Sequence, residues 1–358
     1  MAAAPERRIL VTGGAGFVGA NLALALRRLR PDWEVIALDN LKRRGSELNL
    51  PRLRSAGIAF EHGDVREQSD LLALPRVDAI VECSAEPSAL TGTAGPADYA
   101  VRANLFGAWH CLELARRDGA QLVFLSTSRV YPVAALRGLA VEQAPTRFEL
   151  AEQQQLPGAS AAGIAEEFPL AGARTLYGTT KLSAELLIEE YRAAHGLRAV
   201  IDRCGVIAGP WQMGRSDQGV FTYWMLSHHA GRPLRYLGFN GSGRQVRDLL
   251  HVDDLTELLV DQLDRPQHWD GVVANVGGGR ERSLSLLEAT ELCRELTGVE
   301  VPVAAAGEDR LGDVPVYISD CTRLFSHCEW RPRRSARDTL ADIAAWIGEH
   351  ERELVSAL

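Results

Sequence analysis

The sequence predicts an α/β fold, a doubly wound parallel sheet with a second, smaller mixed α/β lobe that would bind the substrate. Three observations carry this expectation. Short apolar runs alternate with amphipathic segments over residues 7–130, the pattern of parallel strands joined by crossover helices. The first apolar run ends in a glycine-rich turn that opens a helix. After Cys204 the alternation gives way to irregular spacing, with turns at Gly209-Pro210 and Gly231-Arg232-Pro233. At 358 residues, 46% of them hydrophobic, the chain has enough apolar material for two lobes.

In chain order, Arg8 to Val11 reads as a strand, Phe17 to Leu29 as a helix, and Glu34 to Leu38 and Ala79 to Glu82 as strands. Ala100 to Arg117 reads as a helix, Leu122 to Ser126 as a strand, Tyr177 to His195 as a helix and Arg198 to Arg203 as a strand. Residues 134–175 have no period and are rich in Ala, Gln, Glu, Gly and Pro, so a long surface excursion is expected there, either a lid or a decorated loop. The expected division places residues 1–206 and 247–274 in the sheet domain, and 207–246 and 275–358 in the smaller lobe.

A formal net charge of -8 disfavours nonspecific binding to nucleic acid, and no window approaches a membrane span. Met1 to Arg8 has no apolar stretch, so no signal peptide is expected. Six cysteines (83, 111, 204, 293, 321 and 328) lack metal-type pairing and read as reduced thiols in a cytoplasm. Adjacent His228 and His229 would diverge on a helix and have no carboxylate cluster beside them, so no metal site is expected.

Glycines 13, 16 and 19 follow the first strand and open the first helix, and Asp39 comes twenty residues after Gly19 at the end of the next strand. This is the context in which a Rossmann-type turn binds a dinucleotide. The glycines let the backbone approach a pyrophosphate at the helix N-terminus, while the acid accepts hydrogen bonds from the adenosine ribose. A carboxylate there repels a 2′-phosphate, so NAD is expected rather than NADP. Lys42, Arg43 and Arg44 could hold such a phosphate but read better as a solvated loop.

Downstream, Tyr177-Gly178-Thr179-Thr180-Lys181 opens a helix with its phenol and ammonium four residues apart, on one face. The ammonium would lower the phenol pKa and make Tyr177 a usable base near neutrality. That is the chemistry of alcohol oxidation.

The glycine spacing together with the Tyr177/Lys181 pair resembles the extended short-chain dehydrogenase/reductase family of nucleotide-sugar enzymes, with residue matches from Ile9 to the Trp346 region. The resemblance implies dinucleotide contacts from Gly13, Gly16, Phe17, Val18, Gly19, Asp39 and Asn40, and adenine contacts from Asp64 and Val65. It implies Ser84, Ala85, Asn104 and Ser126 around the nicotinamide pocket. Thr127 would hold the reacting sugar hydroxyl, Tyr177 would take its proton, and Lys181 would also bind the nicotinamide ribose. Arg247 and Arg310 match diphosphate-binding arginines. His251-Val252-Asp253-Asp254 reads as structure, its acids starting a helix.

Sugar dehydratases of this family carry Asp and Glu after the threonine, because loss of water needs a second acid and base. This chain has Ser128 and Arg129, expected to contact substrate instead. In Arg203-Cys204-Gly205-Val206-Ile207-Ala208, Val206 and Ala208 replace the family's asparagine and tyrosine. That departure, with Asp217-Gln218-Gly219, Gln245-Val246-Arg247-Asp248 and the long insert, looks most like the CDP-paratose 2-epimerase branch. The resemblance therefore implies an NAD-dependent epimerase of a CDP-sugar, inverting C2, with Gln218 and Gln245 also touching substrate. A 4-epimerase using the same residues is the alternative and a 4,6-dehydratase a weaker one. A homodimer through the helices at 100–117 and 177–195 is implied as well.

Overall fold

The computed structural model describes residues 5–88, 90, 92, 95–215, 218–306, 312–351 and 353–354. Strands β1 (Arg8–Thr12), β2 (Glu34–Asp39), β3 (Ala59–His62), β4 (Ala79–Glu82), β5 (Gln121–Thr127), β6 (Ala199–Cys204) and β7 (Val273–Val276) form one sheet in the order β7-β6-β5-β4-β1-β2-β3. Every pairing is parallel. The chain starts mid-sheet, winds to one edge, returns and winds to the other. The reversal between β1 and β4 leaves a crevice at the carboxyl ends of the strands, where ligands of such sheets sit.

Alternation along each strand feeds two cores. Ile9, Val11, Ala37, Val81 and Val123 pack on one face, while Leu10, Ile36, Ile80, Leu122 and Phe124 pack on the other. The first helix, α1, spans Phe17–Leu29 as expected. The stretch expected as one helix at 100–117 is instead Asp98–Val101, a π-helical turn Arg102–Phe106 and α2, Gly107–Asp118. The catalytic candidate helix α3 spans Leu176–His195, and α4 spans Val252–Asp264. Strand β3 has no sequence expectation behind it because this edge strand is largely exposed and carries Glu61 and His62 instead of an apolar run.

The insert is more ordered than its composition implies. It forms a helical turn, Val133–Arg137, and two small hairpins, Val141–Gln143 with Phe148–Leu150 and Ala159–Ser160 with Gly163–Ile164. Leu136, Leu150, Ile164 and Phe168 are buried against Tyr131, Val246, Val316 and Tyr317. Ile164 exchanges backbone hydrogen bonds with Ile318 (2.8 Å) and Asp320 (2.9 Å). The Glu166 carboxylate accepts the Asn275 N–H at 2.5 Å.

A second sheet joins Val206–Ala208, Val246–His251, Ser283–Ser285 and Val316–Tyr317. The expected boundary at residue 247 cuts its central strand, because residues 246–251 pair with 206–208 and 283–285 and not with the large sheet. His251 caps α4, its Nδ1 accepting the Asp253 N–H at 3.0 Å, as the structural reading of that motif expects. Phe221, Trp224, Met225, Leu340, Ile343 and Trp346 fill the second lobe's core.

Candidate active site

A cleft of about 830 Å³ opens over the carboxyl ends of the sheet. Gly13, Gly16, Phe17, Val18 and Gly19 wall one end, beside Asp39, Asn40 and Val65. Gly13 has φ +62°, and a Cβ on Gly19 would lie 2.2 Å from the Gly13 carbonyl oxygen, so only glycine lets α1 begin this close to the turn. The Asp39 carboxylate accepts N–H groups from Ala15 (3.1 Å) and Leu41 (2.8 Å), which fixes the glycine turn to the end of β2. Each carboxylate oxygen keeps a lone pair for another donor. Burial raises the Asp39 pKa, with these backbone donors opposing it. The turn that only glycine can form and the acid facing it fit a dinucleotide: the turn and the start of α1 would hold the pyrophosphate, and Asp39 the ribose.

Two residues expected at the cofactor do not line the cleft. The Asp64 side chain turns to Arg66 (2.6 Å) and Asn40 (2.9 Å); burial raises its pKa, but these partners outweigh that and hold it at about 2. Asn104 is fully buried, its amide accepting from Glu86 N (2.7 Å) and donating to the Glu86 carbonyl and the Thr180 hydroxyl (both 3.1 Å). With its amide so engaged, Asn104 braces the loop after β4 against α3.

At the middle of the cleft the structure brings together Ser84, Ala85, Ser126, Thr127, Ser128, Tyr177 and Lys181. Thr175 caps α3, its hydroxyl accepting the Gly178 N–H at 3.2 Å. A Cβ on Gly178 would lie 2.0 Å from the Arg129 carbonyl oxygen, so this glycine sets how closely α3 approaches the end of β5. That approach brings the Tyr177 phenol to the Thr127 hydroxyl, which acts to lower the phenol pKa. Ser126 donates to Glu185, which is paired with Arg203 at 2.7 Å beneath the site.

Lys181 departs from expectation. Its Nζ lies 3.0 Å from Oε2 of Glu82, the last residue of β4, with both side chains buried, and 4.0 Å from the Phe124 ring centre. Glu82 Oε1 accepts from Ser84 Oγ at 2.8 Å, and Ser84 Oγ lies 2.9 Å from Thr12 Oγ1. Burial raises the Tyr177 pKa above its ordinary value, although Lys181 and Thr127 act to lower it. The expected phenol poised near neutrality is therefore corrected: desolvation wins, and Glu82 offsets part of the lysine's charge. Sequence reasoning missed Glu82 and Gly178. A carboxylate closing the otherwise apolar run Ala79-Ile80-Val81 was the available signal for the first.

The far end of the cleft carries Arg129, Gln245 and Arg247 with Arg235 and Asp313, while Arg43, four residues after Asp39, lines the cleft with Gln218 and Arg215. Arg247 is ion-paired with Asp313 and donates to the Val314 carbonyl at 2.9 Å. Arg129 Nη1 donates to the Gly312 carbonyl at 2.8 Å. Gln218 accepts from Arg43, which also reaches the Met213 carbonyl at 3.2 Å. The expected solvated loop is thus corrected for Arg43, which crosses the cleft, while Lys42 lies 5.6 Å from the Tyr99 ring centre. Gln245 is nine-tenths buried; its amide N–H donates to the Leu237 carbonyl at 3.0 Å, and its Oε1 has no partner among the described residues. Arg310 and Asp217 lie outside the described residues.

Residues 9–277 match the model of the NAD dependent epimerase/dehydratase family, three quarters of the chain. The chain belongs to that family. Its cofactor is NAD, and like its relatives in the epimerase/dehydratase family it is an enzyme. Over 351 residues it is 27% identical to CDP-paratose 2-epimerase of Salmonella typhi, covering 95% of this chain and 98% of that one. It is 29% identical over 346 residues to dTDP-glucose 4,6-dehydratase of Streptomyces griseus (96% and 94% covered), and 27% identical over 362 to UDP-glucose 4-epimerase of Erwinia amylovora (96% and 98%). The solved UDP-glucuronic acid 4-epimerase of Bacillus cereus shares the fold, with TM-score 0.77 at 23% identity, covering 96% of this chain and 99% of that one. Epimerases and dehydratases of the family thus stand at similar distances from this chain.

Proposed function

We propose that this enzyme is an epimerase of a nucleoside-diphosphate sugar, inverting C2 of a CDP-hexose through a transient keto sugar. The observation that carries the reading is the cluster Thr127, Tyr177 and Lys181 with Ser128 and Arg129 next in line, where elimination of water would need carboxylates. NAD+ supplies the chemistry of accepting a hydride from the sugar carbon and returning it to the opposite face. Thr127 holds the sugar hydroxyl, and Tyr177 takes its proton and later gives it back. A phenol whose pKa burial has raised is a strong proton acceptor once ionised.

The cations at the far end suit a diphosphate. Swinging away from Asp313 would free Arg247 to meet it. The preference for cytidine is assigned to Gln245, which lines the cleft with its N–H₂ pinned to Leu237: a rotation exposing its buried, unpartnered Oε1 would offer an acceptor that matches an exocyclic amine and repels a carbonyl. Similarity to the Salmonella CDP-paratose 2-epimerase over nearly the whole chain supports the same substrate class. We further assign a homodimer, supported by Phe106, Trp109 and Leu186, which are exposed apolar residues on the neighbouring helical stretches 102–118 and 176–195. Six unpaired cysteines support a reducing compartment, and we place the protein in the cytoplasm.

The test is incubation of purified protein, without added cofactor, with CDP-, GDP- and UDP-hexoses, followed by NMR of the products. A C2 epimer of a CDP-sugar is the expected result. A C4 epimer would replace the reading with that of the 4-epimerases, and accumulation of a 4-keto-6-deoxy sugar would replace it with dehydration. Tyr177→Phe should abolish turnover and leave NAD bound.

A further inference from the structure

We propose that Glu82 is a positioning residue for the reaction: by clamping the Lys181 ammonium to the floor of the cleft, it sets how tightly Tyr177 holds the proton that it must take and return. This rests on the assignment of Tyr177 as the acid-base group. The geometry is that of a built device. The carboxylate ends β4 between β1 and β5, and its two oxygens divide their work between Lys181 (3.0 Å) and Ser84 (2.8 Å). Ser84 in turn lies 2.9 Å from Thr12, the residue before the glycine turn, so the clamp is tied to the dinucleotide end of the site.

A buried ion pair gains its Coulombic energy only by losing hydration, so placing one under an active site adds little stability by itself. What it does accomplish is local. An unpaired Lys181 would direct its full charge at the phenol four residues earlier on the same helix. Paired with Glu82, it directs a dipole whose negative end opposes ionisation of Tyr177, in keeping with the raised phenol. The groups facing Tyr177 are Lys181 on its own helix, Thr127 on β5, Cys204 on β6 and Glu82 on β4. Those facing Lys181 are Glu82, the Phe124 ring and the thiols of Cys83, Cys111 and Cys204, which burial keeps protonated. Glu82 is thus the anion in contact with the catalytic lysine.

The experiment titrates the Tyr177 phenolate by ultraviolet difference absorbance in the NAD-loaded protein. The signal of a matching Tyr177→Phe protein is subtracted in each background, and kcat/KM is followed against pH in parallel. Glu82→Gln should lower the midpoint by about one pH unit or more, and the rising limb of kcat/KM should move with it. Glu82→Asp, which keeps the charge, should restore both toward the parent. A midpoint and limb unmoved in Glu82→Gln would overturn the proposal, even if melting temperature and NAD retention fell, since that is what a merely structural role gives. If Glu82→Gln does not fold, Ser84→Ala serves in its place. Relieved of the serine, the carboxylate concentrates its charge on Lys181 and the midpoint should rise, and no movement there overturns the proposal. Turnover by Tyr177→Phe would instead remove the acid-base assignment, and the titration result would still report on the clamp.

Discussion

At Gly178 the ordinary propensity rule changes sign. Alanine for glycine inside a helix usually gains about 1 kcal/mol, but here the added methyl would meet the Arg129 carbonyl oxygen at 2.0 Å. Gly178→Ala should push α3 away from β5 and cost most of kcat, while circular dichroism stays that of the parent. Asp202 offers a second residue-scale test. It is fully buried on β6, one oxygen accepting from Gln262 at 2.9 Å and the other without a partner among the described residues; burial raises its pKa to about 7, against the hydrogen bond. Because the native pKa lies above the unfolded value, the native protein keeps a proton that the unfolded chain has lost. Stability is therefore greatest below about pH 4 with respect to this group, and falls as pH rises toward 7, by a few kcal/mol as an order of magnitude (~). Asp202→Asn should melt with the parent at pH ~4 and well above it at pH ~8, where the parent must bury a charge.

At the scale of elements, the parts legible in the sequence are those whose signals are local. The glycine turn, α1, the Tyr177/Lys181 face and the capping role of His251 each depend on residues within a turn or two of one another. The clamp from Glu82 to Lys181 spans 99 positions and exists only because β4 lies beside β5 and α3 packs over β5. No period announces it. Asn104 was legible as a site residue but not as a brace, because the π-helical turn at Arg102–Phe106 re-aims its amide at Glu86 and Thr180. The insert was misjudged for a different reason. Its hairpins are held by contacts with Tyr131, Val246 and Tyr317, and its own few apolar residues show no alternation. Among caps, Thr175 carries the most consequence, since it fixes the first turn of α3, which carries Tyr177 and Lys181. Thr175→Ala should cost about 1 kcal/mol of stability in denaturant melts and lower kcat more than it raises KM.

For the whole molecule, the two regions are joined differently on their two sides. On one side, the insert is bonded to Ile318, Asp320 and Asn275 and buried against Tyr131, Val246, Val316 and Tyr317, and none of its described residues lines the cleft. Across the mouth, the bridge from Arg43 to Gln218 and Met213 runs over the dinucleotide end. One side is tied by several contacts, and Arg43 forms a clasp across the other. Arg43→Ala should leave the fold intact and release NAD during gel filtration, measured as cofactor absorbance lost from the protein peak. The clasp also bears on how the enzyme meets its surroundings. In the proposed reaction each turnover restores the dinucleotide to the state in which it began, so an enzyme that retained it would take no reading of the cell's NAD⁺/NADH ratio. Its flux would follow sugar supply alone, through starvation or oxygen limitation, for as long as Arg43 holds.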